Sequence, residues 1–310
     1  MLLTMAILKE LRLVGVFVSM SAKILDGRSC AKNLEEKLMP RILSLNEKGV
    51  NPHLAVVIVG DDPASHVYVS AKQKACERLG IKSTRIDLPA STSMSEMVEC
   101  VSKLNSDEDV NGILVQSPLP KHMDEFDIAE LISPAKDVDG FHPHNLGNIV
   151  QGRSGGMVPC TPAGVMEMLS WADVEITGKK VVVIGRSFNV GMSQALLLAS
   201  KGADATVTIV HSRTQDVKSE CINADIIIAA VGKAEMVRPD WVKEGAVVID
   251  VGVNRVDDET RERGWRLAGD VHPDVSNVAS LISPVPGGVG PMTIALLMQN
   301  TISATEQQIA

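Results

Sequence analysis

Three observations predict an α/β protein of two domains with a cleft between them. The chain has 310 residues, too long for one ordinary domain and suited to two of roughly 150 each. Short apolar runs alternate with amphipathic stretches of helical length, the pattern of parallel sheets flanked by helices. Near the middle, Lys179-Lys-Val-Val-Val-Ile-Gly185 opens a fresh strand that ends in a glycine turn. We therefore assign residues 21–160 plus 291–310 to an N-terminal parallel-sheet catalytic domain. Residues 161–290 form a Rossmann-type dinucleotide-binding domain, and residues 1–20 an extension outside the fold. Hydrophobic residues make up 45% of the chain but aromatic ones only 3%, so aliphatic side chains and 14 methionines must fill both cores.

In order, a charged amphipathic helix is predicted over 28–48 and an apolar strand over 54–59. A helix follows, with Asp62 as cap and Pro63 in its first turn, and it ends at Gly80. Next come a strand (83–88), a helix (95–104) and a strand (111–115). Ligands on such sheets sit beyond the carboxyl ends of the strands, so segments 60–65 and 116–120 should line one crevice. The second half holds the strand ending at Ile184, a helix over 190–200, and strands over 205–210, 225–230 and 246–251. A last helix, from 291 to about 305, is placed to pack back on the first domain.

Net charge of -8 and a pI near 5.4 argue against nucleic acid or an anionic membrane surface as partner. Cys30, Cys76, Cys100, Cys160 and Cys221 are scattered, odd in number and free of C-x-x-C spacing. They read as reduced, mostly buried thiols of an intracellular protein. His142-Pro-His144 is a close histidine pair without the further ligands of a metal site. The uncharged run over 13–22 is too short to span a bilayer. The expected location is the cytoplasm, or an organelle if residues 1–20 act as a targeting segment.

Tyr68 and Lys72 stand one helical turn apart, which places a flat ring and an amine on one helix face. Together they suit a planar substrate, as floor and as acid/base. Gln116, just past the strand over 111–115, can hold that amine without setting a carboxylate beside it, which would raise the lysine pKa. In the second domain, Gly185-Arg-Ser-Phe-Asn-Val-Gly191 lets the backbone approach a phosphate, and the following helix N-terminus adds N–H donors. The glycines sit six apart, so this is not a strict G-x-G-x-x-G fingerprint. Where an NAD site usually ends its second strand in Asp or Glu, this chain has His211-Ser-Arg-Thr214. Ser212 and Arg213, with Arg186, suit a 2′-phosphate, so NADP is favoured over NAD. The candidate cofactor residues are Gly185, Arg186, Ser187, Ser212, Arg213 and Val253.

Taken together, these motifs resemble the bifunctional methylenetetrahydrofolate dehydrogenase/cyclohydrolase family. The resemblance runs from Ile24-Leu-Asp-Gly27 almost to the C-terminus. It is carried by Tyr68-Val-Ser-Ala-Lys72, Gly112-Ile-Leu-Val-Gln116, Lys136-Asp-Val-Asp-Gly-Phe-His-Pro143, Pro159-Cys-Thr-Pro162, Gly185-Arg-Ser187 and Pro284-Val-Pro-Gly-Gly-Val-Gly-Pro-Met-Thr293. It implies NADP-dependent oxidation of 5,10-methylenetetrahydrofolate, then hydrolysis of the methenyl cation to 10-formyltetrahydrofolate, in a homodimer joined through the nucleotide domain. It also implies that Lys72 is the catalytic lysine, Tyr68 the ring stacked on folate, Gln116 the partner of the lysine and Asp139 the acceptor for the pterin. The substrate would touch Tyr68, Val69, Ser70, Ala71, Lys72, Val115, Gln116, Ser117 and Asp139. Pro286, Gly287, Gly288, Val289 and Gly290 would form the loop that closes over it.

The chemistry fits these residues. Hydride transfer to a nicotinamide needs positioning more than acid/base help, whereas hydration and ring opening call for a proton carrier. Cys160 reads as a buried neighbour of the site, not a nucleophile. Ser117 stands where the family usually carries leucine, and Phe188-Asn189 and Met192-Ser193 depart from its usual dinucleotide loop. Two alternatives stay open: a dehydrogenase without efficient hydrolysis, against which Lys72 and Gln116 argue, and a non-catalytic folate or NADP binder.

Overall fold

The computed structural model describes residues 21–310; the 1–20 extension lies outside the described residues. The N-terminal half is built on a three-stranded parallel sheet. Its central strand β2 (His53–Val59), with all seven residues buried, lies between β3 (Lys82–Leu88) and β4 (Gly112–Val115). A strand buried on both faces must be apolar throughout, and His-Leu-Ala-Val-Val-Ile-Val meets that demand because His53 has partners for both ring nitrogens. Its Nδ1 lies 3.0 Å from the Asp109 carbonyl and its Nε2 2.8 Å from Thr84 Oγ1.

Helix α1 (Gly27–Glu47) turns Leu34, Leu38, Ile42 and Leu45 into the core, a 3.6-residue stripe. Asp26 caps it by accepting from the N–H groups of Arg28 and Ser29. In α2 (Pro63–Leu79), Asp62 accepts from Ser65 N–H and Gly80 closes the C-terminus at φ 72°. Helix α3 (Met94–Ser106) starts on a reciprocal Ser93/Glu96 capping box. The shorter α4 (Glu125–Leu131) and α5 (Pro143–Gln151) follow β4. His142, half of the histidine pair, caps α5 by accepting from His144 N–H through Nδ1 at 3.0 Å.

After α6 (Cys160–Trp171) comes a six-stranded parallel sheet. In chain order its strands are β1 (Lys23–Ile24), β5 (Lys180–Ile184), β6 (Thr206–Val210), β7 (Ile226–Ala229), β8 (Val247–Asp250) and β11 (Leu281–Ile282). In space the order is β1-β11-β8-β7-β5-β6. Strand β1, which the sequence pattern did not reveal, pairs with β11 through Lys23–Leu281 and Ile24–Ile282. Among the described residues, the chain therefore adds a strand to the second sheet before it builds the first. Two residues are too few to show a period, so only the pairing exposes them. Helix α7 (Ser193–Ala199) follows β5 and the short α8 (Val217–Cys221) follows β6. An antiparallel hairpin, β9 (Asn254–Asp257) with β10 (Trp265–Ala268), follows β8 and is likewise too short to show a period in sequence. Its Trp265 ring lies 4.6 Å and 4.1 Å from the guanidinium carbons of Arg255 and Arg263.

The last helix, α9, covers Val289–Gln308, starting two residues earlier than expected. It packs on α6, α1 and α2. Arg41 Nε and Nη2 donate to both carboxylate oxygens of Glu306 at 3.0 and 2.7 Å, and Gln308 Nε2 donates to the Asn111 carbonyl at 2.9 Å. The approach to α9 is tight at Gly27. Its N–H donates to the Gly287 carbonyl at 3.0 Å, and a Cβ there would lie 1.7 Å from the Gly288 carbonyl oxygen. Gly27→Ala must push the 284–290 segment away. The expected cost is about 1–3 kcal/mol, the usual range for overpacking, read as a lower midpoint in urea unfolding.

Candidate active site

The carboxyl ends of β2 and β4 meet where the sequence places them. Gln116 N–H donates to the Val57 carbonyl at 2.9 Å, and Ser65 Oγ reaches to 3.5 Å from the Ser117 carbonyl. Lys72 Nζ, from α2, donates to Gln116 Oε1 at 2.8 Å. The other end of that amide is fixed as well, because Gln116 Nε2 donates to the Ser117 carbonyl at 2.5 Å. Gln116 thus has one orientation, and it presents an acceptor to the amine.

Burial lowers the Lys72 pKa from 10.5, against the carboxylate of Asp139 and the thiol of Cys160, which act to raise it. Gln116 itself sets no carboxylate against the amine; Asp139 acts on it from the facing turn, and burial outweighs that pull. The same burial raises Asp139 from 3.8 to about 6, against the opposing pull of Lys72. Burial thus shifts both groups toward their neutral forms.

The turn that presents Asp139 is built by Asp137, a role that carries no local sequence signal. Asp137 accepts from the N–H groups of Gly140, Phe141 and His142 at 3.0, 3.3 and 2.8 Å. It also accepts from Asn145 Nδ2 at 2.9 Å. Gly140 sits at φ 79°, where a Cβ would strike Val158 and Pro159 backbone at 2.6 Å. Because Asp137 does the turn-stabilising work, Asp139 is left to face the cleft, whose wall it shares with Val115, Ser117, Phe141 and Phe188. Behind it, Asn300 Nδ2 of α9 donates to the Val138 and Val158 carbonyls, each at 2.9 Å. Cys160 Sγ donates to the Val138 carbonyl at 3.3 Å. Burial and Asp139 push that thiol well above 9.0, which works against the thiolate form.

The remaining candidates fall in several environments. Tyr68 is 48% exposed on the same helix face as Lys72. Val69 is fully buried, so its side chain packs in the core and only its backbone can approach a ligand. Ser70 Oγ is engaged with the His66 carbonyl at 2.7 Å, and Ala71 is half-buried. In the 286–290 loop, Pro286 and Gly290 are exposed, Gly287 lies at φ 104° beside the Arg28 guanidinium, and Gly288 and Val289 are buried. Val289 and Gly290 are already the first turn of α9.

Across the cleft, Gly185 ends β5 at φ 119°, and a Cβ there would lie 2.1 Å from the Ala230 carbonyl oxygen. A Cβ on Gly191 would lie 2.3 Å from the Gly185 carbonyl oxygen. Both glycines are required by close backbone approach within the turn. The helix expected over 190–200 begins differently. Phe188–Met192 forms one π-helical turn, and the α-helix starts only at Ser193. Arg186, Ser187, Ser212 and Arg213 are exposed at this rim, and Val253, past β8, is 48% exposed. The turn after β6 is tied by Arg213 N–H to His211 Nδ1 at 3.1 Å and by His211 N–H to Thr214 Oγ1 at 3.0 Å.

The loop after β7 hangs on Asp270, another residue without a sequence signal. Its carboxylate accepts from the N–H groups of Val231, Gly232 and Lys233 at 2.6, 2.9 and 2.8 Å. Asp250 in turn accepts from the N–H groups of Gly252, Asp270 and Val271, and burial raises it to about 7.

A family model for the tetrahydrofolate dehydrogenase/cyclohydrolase catalytic domain matches residues 25–139, and one for the NAD(P)-binding domain of the same family matches 159–309. The chain belongs to the tetrahydrofolate dehydrogenase/cyclohydrolase family. Among family members, the bifunctional protein FolD of Acetivibrio thermocellus is 49% identical over 290 residues, covering 93% of this chain and 99% of that protein. A crystal structure of the Campylobacter jejuni bifunctional FolD enzyme superposes with TM-score 0.88 at 43% identity, over 93% of this chain and 99% of that one. The Trypanosoma brucei FolD structure, complexed with NADP and an inhibitor, superposes with TM-score 0.88 at 39% identity, over 94% and 99%. The family's two-domain α/β architecture is that of the present chain.

Proposed function

We propose that this protein is a bifunctional enzyme of one-carbon metabolism. It oxidises 5,10-methylenetetrahydrofolate to the methenyl form with NADP and hydrolyses the product to 10-formyltetrahydrofolate. The observation that carries this reading is the Lys72–Gln116 hydrogen bond at 2.8 Å, with the Asp139 carboxylate acting on the same amine from a cleft wall that also includes Phe188 and Asn189 of the dinucleotide turn. One buried amine held by a neutral amide suits a proton carrier for hydration and ring opening. Tyr68 offers its exposed ring as a stacking floor, and Asp139 offers acceptor oxygens to the pterin N–H groups.

Gly185, Gly191 and the N–H groups of the turn from Ser187 onward fit the pyrophosphate, with Arg186, Ser212 and Arg213 at the 2′-phosphate. NADP, when bound, supplies the hydride acceptor for the first reaction. The protein's part in that step is to hold the folate against the nicotinamide side of the cleft and to exclude water. We place residues 21–160 plus 291–310 in the folate domain and 161–290 in the NADP domain. The short β1 pairing crosses that division. The reading includes a homodimer joined through the second domain and a cytoplasmic location. No described helix is long and apolar enough to cross a membrane.

The test is a paired assay on one preparation: reduction of NADP and of NAD with methylenetetrahydrofolate, then decay of added methenyltetrahydrofolate. Both activities with NADP preferred are expected. Reduction without accelerated decay would sink the hydrolase half, and neither signal would leave a binding protein. Arg213→Ala is expected to lower kcat/KM for NADP about tenfold to a hundredfold, the worth of a charge-assisted hydrogen bond. The value for NAD should stay within about threefold. Equal losses with both nucleotides would remove Arg213 from the 2′-phosphate.

A further inference from the structure

The chain has four phenylalanines, and three of them meet at one point of the cleft. Phe188, in the π-helical turn of the second domain, lies 4.4 Å from Phe126 of α4, ring centroid to centroid, at an interplanar angle of 34°. It stands 5.4 Å from Phe141 at 71°, an edge-to-face contact. Phe141 is two residues past Asp139, on the turn that Asp137 fixes. Phe126 is otherwise 58% exposed. An exposed ring that meets an aromatic partner from the other domain is a contact between domains, not part of either core.

The turn that carries Phe188 is shaped for this reach. Ser193 Oγ donates to the Phe188 carbonyl at 2.7 Å, and Met192 N–H donates to the Ser187 carbonyl at 3.0 Å. The side chains of 188 and 189, carried on this π-helical turn, line the same cleft wall as Asp139. Asn189 lines that same wall, and its Oδ1 is buried without a hydrogen-bond partner among the described residues. Two departures from the family loop therefore belong together, since the hydroxyl of Ser193 closes the turn that presents Phe188.

We propose that Phe188 is a positioning residue that couples the two ligand sites. It ties the phosphate-binding turn to the segment bearing Asp139, so that each ligand binds more tightly when the other is present. This rests on the assignment of the NADP and folate sites given above. The physical basis is that a ligand that orders the 185–192 turn also orders Phe188. Phe188 then locks with Phe126 and Phe141 into one aromatic cluster against the Asp139 turn, and linkage makes the effect reciprocal.

The experiment is calorimetric titration of NADP into the full-length protein, with and without saturating tetrahydrofolate. The wild type should bind NADP between about two- and tenfold more tightly with tetrahydrofolate present, the range an aromatic pair gives in double-mutant cycles. Phe188→Ala should bring that ratio to about one, and Phe188→Tyr should restore it. Because Phe188→Ala can disturb the turn itself, Phe126→Ala is the second variant. It leaves the dinucleotide loop untouched, truncates an exposed ring and should reduce the ratio in the same way. The combined Phe126→Ala/Phe188→Ala protein should show no further loss. A wild-type ratio of one, or a ratio that survives in both single variants, would overturn the coupling. No binding of either ligand alone to the wild type would instead overturn the site assignment on which the coupling rests.

Discussion

Lys72→Met is expected to slow methenyltetrahydrofolate hydrolysis by about 10²–10⁴-fold, the usual worth of a positioned proton carrier, with folate affinity kept within about threefold. The lysine stem lies in α2 and its amine ends at Gln116 Oε1, so an unbranched methionine of similar reach keeps the packing. Gln116 stays oriented by its own bond to the Ser117 carbonyl. The variant should fold at least as well as the wild type, because a buried amine is replaced by an apolar group. In the folded protein the Lys72 pKa lies below 10.5, so the folded chain binds fewer protons than the unfolded one in the window beneath 10.5. Stability from this group therefore rises with pH through that window and is lowest where the amine is charged. The pH profile supplies the sharper readout. If the neutral amine takes the proton, wild-type hydrolysis climbs with pH through the lowered lysine pKa, and the climb vanishes in Lys72→Met. A variant with near wild-type hydrolysis would remove Lys72 from the mechanism.

Much of this site could be read from the sequence, because its signals are local. The Tyr68/Lys72 spacing fixes a helix face, Asp62-Pro63 fixes where that helix starts, and an apolar run ending at Val115 sets Gln116 at a strand end. The supporting residues had no such signal. Asp137 and Asp270 act by accepting several backbone N–H groups at once. Any aspartate before a turn can do that, and only the folded loop tells which one does. Strand β1 and the β9–β10 hairpin are too short for a period to appear, so pairing with distant partners defines them. The helix after Gly185 was anticipated, but not its π-helical first turn, which depends on a hydroxyl at Ser193 meeting a carbonyl five residues back. In the same way, the resemblance put Gln116 and Asp139 in one site with Lys72, but the balance between burial and the Asp139 charge at that amine depends on the folded packing.

Asp139→Asn should have opposite effects on stability and on catalysis. Burial raises the Asp139 pKa to about 6, with Asp137 and Glu125 adding to the rise while Lys72 opposes it. Between 3.8 and about 6 the folded chain holds a proton that the unfolded chain has released. The stability contributed by this residue therefore falls as pH rises through that window, and the deficit persists at neutral pH. Removing the charge should recover on the order of 1–3 kcal/mol at pH 7.5, seen as a higher Tm in the ligand-free protein. The gain should shrink toward zero as the pH approaches 4, where both proteins are uncharged at this position. Asp250, raised to about 7, titrates in both proteins and cancels from the difference. Catalysis should move the other way. Asparagine keeps one acceptor oxygen and turns an NH₂ group toward pterin donors, so charge-assisted hydrogen bonds are lost and a donor faces a donor. We expect kcat/KM for methylenetetrahydrofolate to drop about 10- to 1000-fold, mostly through KM. Unchanged kinetics would show that Asp139 does not hold the pterin, whatever happened to Tm. A Tm difference that does not depend on pH would show that its buried charge is not what strains the ligand-free fold.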